Sequence, residues 1–309
     1  MRSRMATVGT ALVVLLVAAV GGGAGASAAP STTAPPPTSM AALGDSFTVG
    51  FATGAADCAG FVACPQYSWS TGTAVDSHYQ RLVALEPGLA GNAVNAAVPG
   101  APMASLVGQA TTVAPTQPDY VTVLLGGGDV CFGTTPTATF AAQFRAGMDA
   151  LFAASPDTKV LVASLWDFES LRSAVLAADP SATFPFCGAF FNAPVATRAA
   201  IMAQVEAYND ALATECATYA NCRLDGGALF AHQWSAAEVG PVDHFHPSVA
   251  GQEMIADVLW NAGYDWGTPA TTPTSKDQCK KGGWQSFTDA AGVPFRNQGQ
   301  CVAFTNHTA

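Results

Sequence analysis

Three side chains could together form a nucleophilic catalytic set: Ser46 in the stretch GDS, and Asp243 and His246 in the stretch DHFHPS. A serine hydroxyl becomes a nucleophile when a histidine accepts its proton and a carboxylate orients that histidine. Residues i and i+3 of a turn lie on the same side, so the Asp243 carboxylate can reach the Nδ1–H of His246. The chain order Ser, Asp, His therefore makes serine hydrolysis the first functional hypothesis.

A glycine-rich stretch, VTVLLGGGDVCF at residues 121–132, offers backbone without side chains. An apolar run bounded by glycine is typical of a buried strand that enters a tight loop. Ligands of open α/β sheets bind at the carboxyl ends of such strands. No G-x-x-x-x-G-K-[ST] pattern follows, which argues against a phosphate-binding loop.

The elements that must position these residues alternate between strands and helices. Strands are indicated by five stretches: SMAALGDS, NAVNAAVPG, YVTVLLGGGD, TKVLVASLWD and NCRLDGGALF. Helices are indicated by five others: HYQRLVALEPG, MASLVGQATTV, ATFAAQFRAGMDALFAAS, ATRAAIMAQVEAYNDALATECA and SVAGQEMIADVLWNAG. Residues 168–194, with three prolines, are expected to form a long irregular excursion. The alternation predicts an α/β fold, a flavodoxin-like three-layer α/β/α sandwich around a mostly parallel five-stranded sheet.

The chemically interesting stretches fall just after predicted strands. GDSFTVG follows the first strand, VPGAP the second and GGGDVCF the third, and VDHFHPS lies beyond the fifth. Because parallel strands end at the same edge of a sheet, we expect Ser46, the glycine-rich backbone and the Asp243–His246 pair at one rim. Pro247 is well suited to begin the closing helix, which would hold the imidazole at a rigid edge.

Four blocks, GDS, NAAVPGA, GGGD and DHFHPSVAG, resemble in their order the blocks of the GDSL/SGNH hydrolase family, over about residues 40–265. The stretch CPQYSWSTG resembles a segment of its lipase- and phospholipase-like bacterial branch. The resemblance implies that Ser46 is the nucleophile, His246 the general base and then acid, and Asp243 its orienting partner. The absence of G-x-S-x-G around Ser46 argues against the ordinary α/β-hydrolase elbow.

The same resemblance implies an oxyanion hole. Its donors would be the backbone N–H groups of Ser46 and Gly100 and the side chain of an asparagine in a G-x-N-D block. This chain has glycine there, at Gly128. Loss of one such donor costs roughly 2.7–4 kcal/mol. We therefore expect Gly128→Asn to raise turnover if the missing donor limits the reaction.

Three explanations for this glycine stay open. The Gly128 backbone N–H or a water could substitute for the missing amide. Another side chain, Asn95 or Asn192, could reach the site. Alternatively, the site has degenerated, and the protein is a non-catalytic extracellular cell-surface or carbohydrate-binding protein. The first two together are favoured, since a complete Ser46, Asp243 and His246 set has no structural reason to persist.

The functional expectation is therefore a secreted serine esterase or lipase. Its substrate would be a small-molecule, lipid, phospholipid or acetylated-glycan ester, and the sequence does not separate these. The cysteines lie neither in a C-x-x-C pair nor beside clustered histidines, so no metal or other cofactor is expected. Residues 5–267 carry six basic and twenty acidic side chains, and so acidic a surface disfavours nucleic-acid binding.

The chain, with 309 residues of which 50% are hydrophobic, is long enough for one sizeable core with a small appendage. A basic start, a short apolar run and the small-residue exit Ala26-Ser27-Ala28 predict a signal peptide at residues 1–28. Residues 29–39 would form a proline-rich tether, 40–266 the SGNH hydrolase domain, 267–275 a linker and 276–309 a small motif. The mature chain is expected to be secreted, monomeric and without a transmembrane segment.

Eight cysteines in an exported chain indicate disulfides. Spacing favours nearest partners, while other connectivities stay open: Cys58 with Cys64, Cys131 with Cys187, Cys216 with Cys222, and Cys279 with Cys301. The last pair would stabilise the C-terminal motif, which is too small to have a core without help. A basic-aromatic patch there suggests cell-wall or carbohydrate contact, with a solvated cap as the alternative: Lys280, Lys281, Trp284, Phe287 and Phe295.

Other polar and aromatic residues receive simpler interpretations. Asp167 and Glu169 could be a glycosidase pair, but the serine set makes that the weaker hypothesis. Trp69 and Trp166 either line a substrate cleft or are buried. The remaining assignments are structural: Asp45 and Asp129 as acceptors of loop N–H groups, His78 and His232 as surface or capping residues, and His244 as a solvent-facing side chain.

Overall fold

The structure, a computed structural model, describes residues 35–133, 135–266, 272–273, 275–280, 284, 287, 289, 295 and 297–307. The predicted signal peptide, most of the tether and linker, and Lys281 lie outside these described residues. No helix within them is long and apolar enough to cross a membrane.

The described chain contains a five-stranded sheet and eleven α-helices. The strands are β1 (Met40–Gly44), β2 (Ala93–Asn95), β3 (Tyr120–Leu124), β4 (Lys159–Val162) and β5 (Cys222–Leu224). The first helices are α1 (His78–Leu85), α2 (Leu106–Val113), α3 (Gly127–Cys131), α4 (Thr137–Ala154), α5 (Phe168–Ala178) and α6 (Gly188–Phe191). The others are α7 (Val195–Cys216), α8 (Ala228–Ala231), α9 (Val249–Ala262), α10 (Lys276–Cys279) and α11 (Gln298–His307).

The five strands lie in the order β2-β1-β3-β4-β5 and all pair in parallel. The predicted α/β fold with a flavodoxin-like sheet is therefore confirmed. Every residue of β1 and β3 is buried, as expected for strands that are covered on both faces. Register runs from Met40 opposite Tyr120 to Gly44 opposite Leu124, so the two strands end side by side.

Helices cover both faces of the sheet. Because parallel crossovers are right-handed, the reversal of strand order at β1 places α1 on the face opposite α2, α4 and α7. The last three pack against one another in succession, and Arg145 of α4 forms an ion pair with Glu215 of α7. On the other face α1 meets α9 through the His78 ring and the Ala256 carbonyl.

Two segments differ from the expected structure. The region 168–194, expected to be irregular, contains α5 and α6. Its prolines all lie after α5, and the Asp167 side chain caps that helix by accepting N–H bonds from Glu169 and Ser170. The glycine-rich loop after the third strand is also partly helical, since α3 begins at Gly127.

All four disulfides that the spacing favours are present: Cys58–Cys64, Cys131–Cys187, Cys216–Cys222 and Cys279–Cys301. The Cys279–Cys301 bond joins α10 to α11. Phe295 is buried beside it, and Trp284 and Phe287 pack against the same cluster half-buried. The aromatic residues of the predicted surface patch therefore form a small core.

His78, expected at the surface or as a cap, is buried. A carbonyl only accepts, so Nε2–H donates to the Ala256 oxygen, and Nδ1 accepts from the Tyr120 hydroxyl. Burial lowers the pKa of His78 to about 3, and the Arg81 charge acts in the same direction against the Ala256 hydrogen bond. The imidazole is therefore a neutral part of the interface between α1, β3 and α9.

A neutral buried imidazole predicts acid sensitivity. Between pH 6.5 and about 3 the unfolded chain binds a proton at His78 that the folded chain does not, so stability is complete above pH 6.5 and falls below it. The loss is about 1.4 kcal/mol per pH unit, or roughly 2 kcal/mol at pH 5. His78→Gln should lack this contribution. Urea unfolding at pH 7.5 and pH 5 measures the loss of unfolding free energy in each protein. An equal loss in the wild type and in His78→Gln would contradict the prediction.

Candidate active site

A cavity of about 210 Å³ opens at the carboxyl ends of β1 and β3. Ser46, two residues beyond β1, and Gly128 in α3 lie in its wall together with Gly100 and His246. Strand order reverses between these two strands, which is where open α/β sheets form a ligand crevice. The structure thus brings Ser46, Gly100, Gly128 and His246 to one cavity.

Ser46 lies in a tight turn directly after β1. The Asp45 carbonyl accepts hydrogen bonds from the N–H groups of Thr48 and Val49, and the Ser46 carbonyl accepts one from Phe51. These bonds reverse the chain and leave the Ser46 side chain at the cavity wall, with 8% of the residue exposed.

Asp243 and His246 occupy one turn before α9. The His246 Nδ1 lies 2.6 Å from Asp243 Oδ2, while Asp243 Oδ1 accepts the backbone N–H groups of Phe245 and His246 at 3.0 Å each. Ser248 caps α9 by accepting the Gly251 N–H, so the helix begins just after the site. The predicted i, i+3 contact is therefore present. Backbone N–H bonds fix Asp243, and the start of α9 follows directly after His246.

The hydrogen bonds to Asp243 keep it ionised. Burial raises the pKa of this carboxyl, but the His246 ring and two backbone N–H groups outweigh that effect, and the net pKa is lowered. An ionised carboxylate only accepts, so Nδ1 must carry the proton. In the neutral imidazole this tautomer leaves the lone pair on Nε2, the form that a general base needs.

Gly100 and Gly128 contribute backbone to the same wall. Gly100 has a φ of 77°, in the left-handed region that favours glycine. Gly128 lies in the first turn of α3, where N–H groups have no acceptor within the helix. These two glycines therefore present backbone without a side chain to the cavity that Ser46 also lines.

The space beside Gly128 is closed to a side chain. A Cβ atom there would lie 2.9 Å from the carbonyl oxygens of both Gly100 and Ala101. Such contacts require backbone to move, because neither oxygen belongs to a flexible side chain. The structure thus shows the 100–101 segment packed where an asparagine side chain would begin.

Neither proposed substitute amide reaches the cavity. The Asn95 amide bonds Thr48, Ser68 and Thr71, and the Asn192 amide bonds the Phe184 carbonyl. Neither side chain lines the cavity.

Asp45 and Asp129 organise the backbone around the cavity, as expected. Asp45 is buried and accepts N–H bonds from Phe47 and Gly127; burial raises its pKa to about 7 against these bonds. Asp129 accepts the Met103 N–H and the Thr135 hydroxyl, each at 2.6 Å. It thereby ties α3 to the segment that follows Gly100.

Aromatic rings supply the remaining walls, and sequence reasoning missed most of them. Trp166 was one predicted candidate, and it stacks on Phe47 with ring centroids 3.6 Å apart. The others flank the motifs or the excursion: Phe47, Phe51, Phe132, Phe186 and Phe245. The phenylalanines at 47 and 245 stand beside Ser46 and His246 in the sequence, a signal that could have found them.

A disulfide connects two parts of this wall. Cys131 at the end of α3 is bonded to Cys187, next to Phe186, and both cysteines line the cavity. The expectation that this bond joins the third-strand segment to the excursion is confirmed.

The other candidates lie outside the cavity wall. Asp167 caps α5 and Glu169 forms an ion pair with Arg198. Both carboxylates therefore have structural roles, which argues against a glycosidase pair. Trp69 is buried against His78. His232 contacts Glu238, and His244, half-buried, contacts the Thr183 carbonyl.

Comparisons with known proteins bear on the family of the chain. A family model described as the GDSL-like Lipase/Acylhydrolase family matches residues 42–254. No curated protein matches the chain.

Solved structures resemble the chain at low identity. An extracellular lipase from Streptomyces rimosus is 22% identical, with 73% of this chain and 99% of that chain covered and a TM-score of 0.40. A family 3 carbohydrate esterase from Clostridium thermocellum is 15% identical, covering 72% and 93%, with a TM-score of 0.45. Psychrotrophic esterase EstA from Pseudoalteromonas sp. is 14% identical, covering 73% and 96%, with a TM-score of 0.44. These similarities carry no information on the substrate.

The close approach to Gly128 reverses the expectation for Gly128→Asn. Both Gly128→Ala and Gly128→Asn should lose roughly 1–3 kcal/mol of stability and lower ester turnover, because the added Cβ displaces Gly100 and Ala101. Thermal unfolding and kcat/KM measure the two effects. Gly108→Ala is the matched stability control, since a Cβ there meets nothing within 4 Å and should stabilise helix α2. Faster turnover in Gly128→Asn with slower turnover in Gly128→Ala would contradict the steric argument.

Proposed function

The chain belongs to the GDSL-like lipase/acylhydrolase family, and we propose that it is a secreted serine esterase or lipase that hydrolyses carboxylic esters through an acyl-enzyme. One observation carries the proposal. The buried His246–Asp243 hydrogen bond of 2.6 Å lies at the same cavity as Ser46. The non-catalytic alternative is not favoured, because Ser46 and His246 line one cavity and Asp243 holds the His246 ring.

Acylation begins when Ser46 Oγ attacks the ester carbonyl carbon. The Nε2 atom of His246 accepts the hydroxyl proton, and the Asp243 carboxylate stabilises the imidazolium that forms. The carbonyl electron pair moves to oxygen and gives a tetrahedral oxyanion. When this intermediate collapses, the C–O bond to the alcohol breaks and His246 donates its proton to the leaving oxygen.

The oxyanion would be stabilised by the backbone. We assign donor roles to the N–H groups of Ser46, Gly100 and Gly128, which replaces the asparagine amide of the family pattern with a helix N-terminal N–H. Asp45 and Asp129 act on these donors indirectly, since they hold the segments that carry them. A water then attacks the acyl carbon while His246 accepts a proton from it. The bond between the acyl carbon and Ser46 Oγ breaks, His246 returns the proton to that oxygen, and the carboxylic acid leaves.

Secretion is supported by the disulfides. Four disulfides among the described residues, with no free cysteine in that part of the chain, fit an oxidising compartment.

We propose that 40–266 is the catalytic domain of a monomeric enzyme. Carbohydrate or cell-wall contact through 276–309 would depend on exposed groups such as Lys280, since Phe295 is buried.

Ser46→Ala tests the nucleophile. The wild type should hydrolyse 4-nitrophenyl acetate, and Ser46→Ala should lower kcat by at least about 10³-fold, because no hydroxyl remains to form the acyl-enzyme. An alkyl fluorophosphonate should add one phosphonyl mass to the wild type and none to the variant. Ser173→Ala, at an exposed position of α5, is the matched control and should behave as the wild type. Equal rates in wild type and Ser46→Ala would contradict the proposal.

Asp243→Asn tests the orientation of the imidazole. An amide can donate to Nδ1 and so favour the tautomer whose Nε2 carries the proton, which cannot accept from Ser46. We expect kcat to fall about 10⁴-fold with little change in KM. The matched control is Asp157→Asn, an exposed aspartate in the turn before β4. A kcat within tenfold of wild type would show that Asp243 does not orient the base.

A further inference from the structure

A second surface adjoins the candidate active site. An open groove of about 720 Å³ runs from the segment after β2 along α2. The groove and the catalytic cavity share two residues, Pro99 and Gly100. The Phe132 ring lies at this shared ridge, with Cε2 3.6 Å from the position that a Gly100 Cβ would take, and Phe132 is 74% exposed. One substrate could therefore contact both surfaces at the residue proposed to bind the oxyanion.

The catalytic cavity is too small for a large substrate. Its volume of about 210 Å³ lies below the roughly 300–1,000 Å³ of pockets that enclose drug-sized ligands. An ester has groups on both sides of its carbonyl, so a long substrate must leave the cavity on at least one side. The groove is the adjoining surface with room for that part.

The chemistry of the groove favours an apolar chain. Its walls are mainly small or aliphatic residues, and none of its lining residues is acidic, basic or histidine. Val98 is 54% exposed and Val107 is 42% exposed, so both would lose water contact under a ligand. The Gln109 amide is bonded to the Gly44 N–H and carbonyl, which removes its polar atoms from the groove.

We infer that this groove binds a long apolar chain of the ester substrate, and that Val98, Val107 and Gly108 determine the preference for chain length. The inference rests on the proposed esterase function and names its substrate class. A glycan chain would need hydrogen-bonding partners, and a phosphate headgroup would need cations. The groove lining holds no cation. Of its polar side chains, Gln109 bonds Gly44 and Thr112 bonds the Gly108 carbonyl, which leaves the Ser105 hydroxyl for a ligand. Apolar chain and apolar wall, in contrast, gain by leaving water together.

Two substitutions change the groove without threatening the fold. Val107 and Gly108 lie in the first turn of α2, where a carboxylate is favoured by the helix dipole. Val107→Asp replaces an apolar wall by a charge. In Gly108→Glu the new Cβ meets nothing within 4 Å, and Ser105 at the N-cap lies three residues before it, as in a capping box. Val195→Asp, at the first residue of α7 and 70% exposed, is the matched control.

The experiment compares chain length on each side of the ester. One series varies the acyl group of 4-nitrophenyl esters from acetate to decanoate, and the other varies the alcohol of acetate esters, all below their micellar concentrations. Each buried methylene is worth a factor of about four in kcat/KM. In the series whose varied chain enters the groove, acyl or alcohol, both groove variants should lower the ratio of kcat/KM for long-chain to short-chain esters by at least about tenfold. Val195→Asp should leave this ratio unchanged.

Two kinetic results would overturn the inference. The first is an unchanged ratio in both groove variants, and the second is an equal loss for short and long esters, which would indicate a displaced Gly100 rather than a lost chain contact. A second copy of this chain in the groove is a further alternative. It would give a wild-type dimer in gel filtration and a Gly108→Glu monomer, and that result would also overturn the inference.

A binding measurement separates this inference from the esterase proposal. Ser46→Ala should bind methyl octanoate, and adding Val107→Asp to it should weaken binding by at least about tenfold in calorimetric titration. If the wild type hydrolyses no ester but this groove-dependent binding is present, the esterase proposal fails and the groove assignment stands. If esters are hydrolysed and binding does not depend on Val107, only the groove assignment fails.

Discussion

The parallel pairing of β1 with β3 is the constraint on which the site depends. Their register ends with Gly44 opposite Leu124, so the turn that carries Ser46 and the helix that carries Gly128 start side by side. The two segments are about eighty residues apart in the chain, so they become neighbours only because their strands pair. The Asp45 carboxylate then accepts the Gly127 N–H and so connects the segment after β1 to the segment after β3 across the crevice. The geometry of the candidate site is thus a consequence of strand order.

Buried carboxylates serve three different purposes around this crevice. Asp243 is held ionised by the His246 ring and by backbone N–H groups, which fixes the proton on Nδ1. Asp45 also accepts N–H bonds, but burial prevails and raises its pKa to about 7, so its role is to organise backbone. Asp129 connects α3 to the segment after Gly100. The groups that each carboxylate bonds therefore separate their roles: Asp243 bonds the imidazole, and Asp45 and Asp129 bond the backbone of the walls.

Glycine lets the walls of the site approach one another. At Gly128 the carbonyl oxygens of Gly100 and Ala101 come so near that no Cβ fits, so this wall of the cavity consists of backbone. Aromatic rings and the Cys131–Cys187 bond close the other side of the cavity. Beyond Gly100 the aliphatic groove continues the same surface. A small polar centre with apolar surroundings suits an ester whose substituents are larger and less polar than its reacting carbonyl.

The sequence alone determined the strand-helix alternation and the Asp243–His246 contact, because each depends on local spacing or hydrophobic period. It favoured the four disulfides that are present but left other connectivities open. It also located Ser46 and the glycine that departs from the family pattern. It could not determine α5, since the prolines that favoured an irregular segment all lie after this helix, nor the burial of His78, which depends on α9 almost 180 residues away. The Gly128 approach and the groove were decided only by tertiary structure, because both arise where segments distant in sequence pack together.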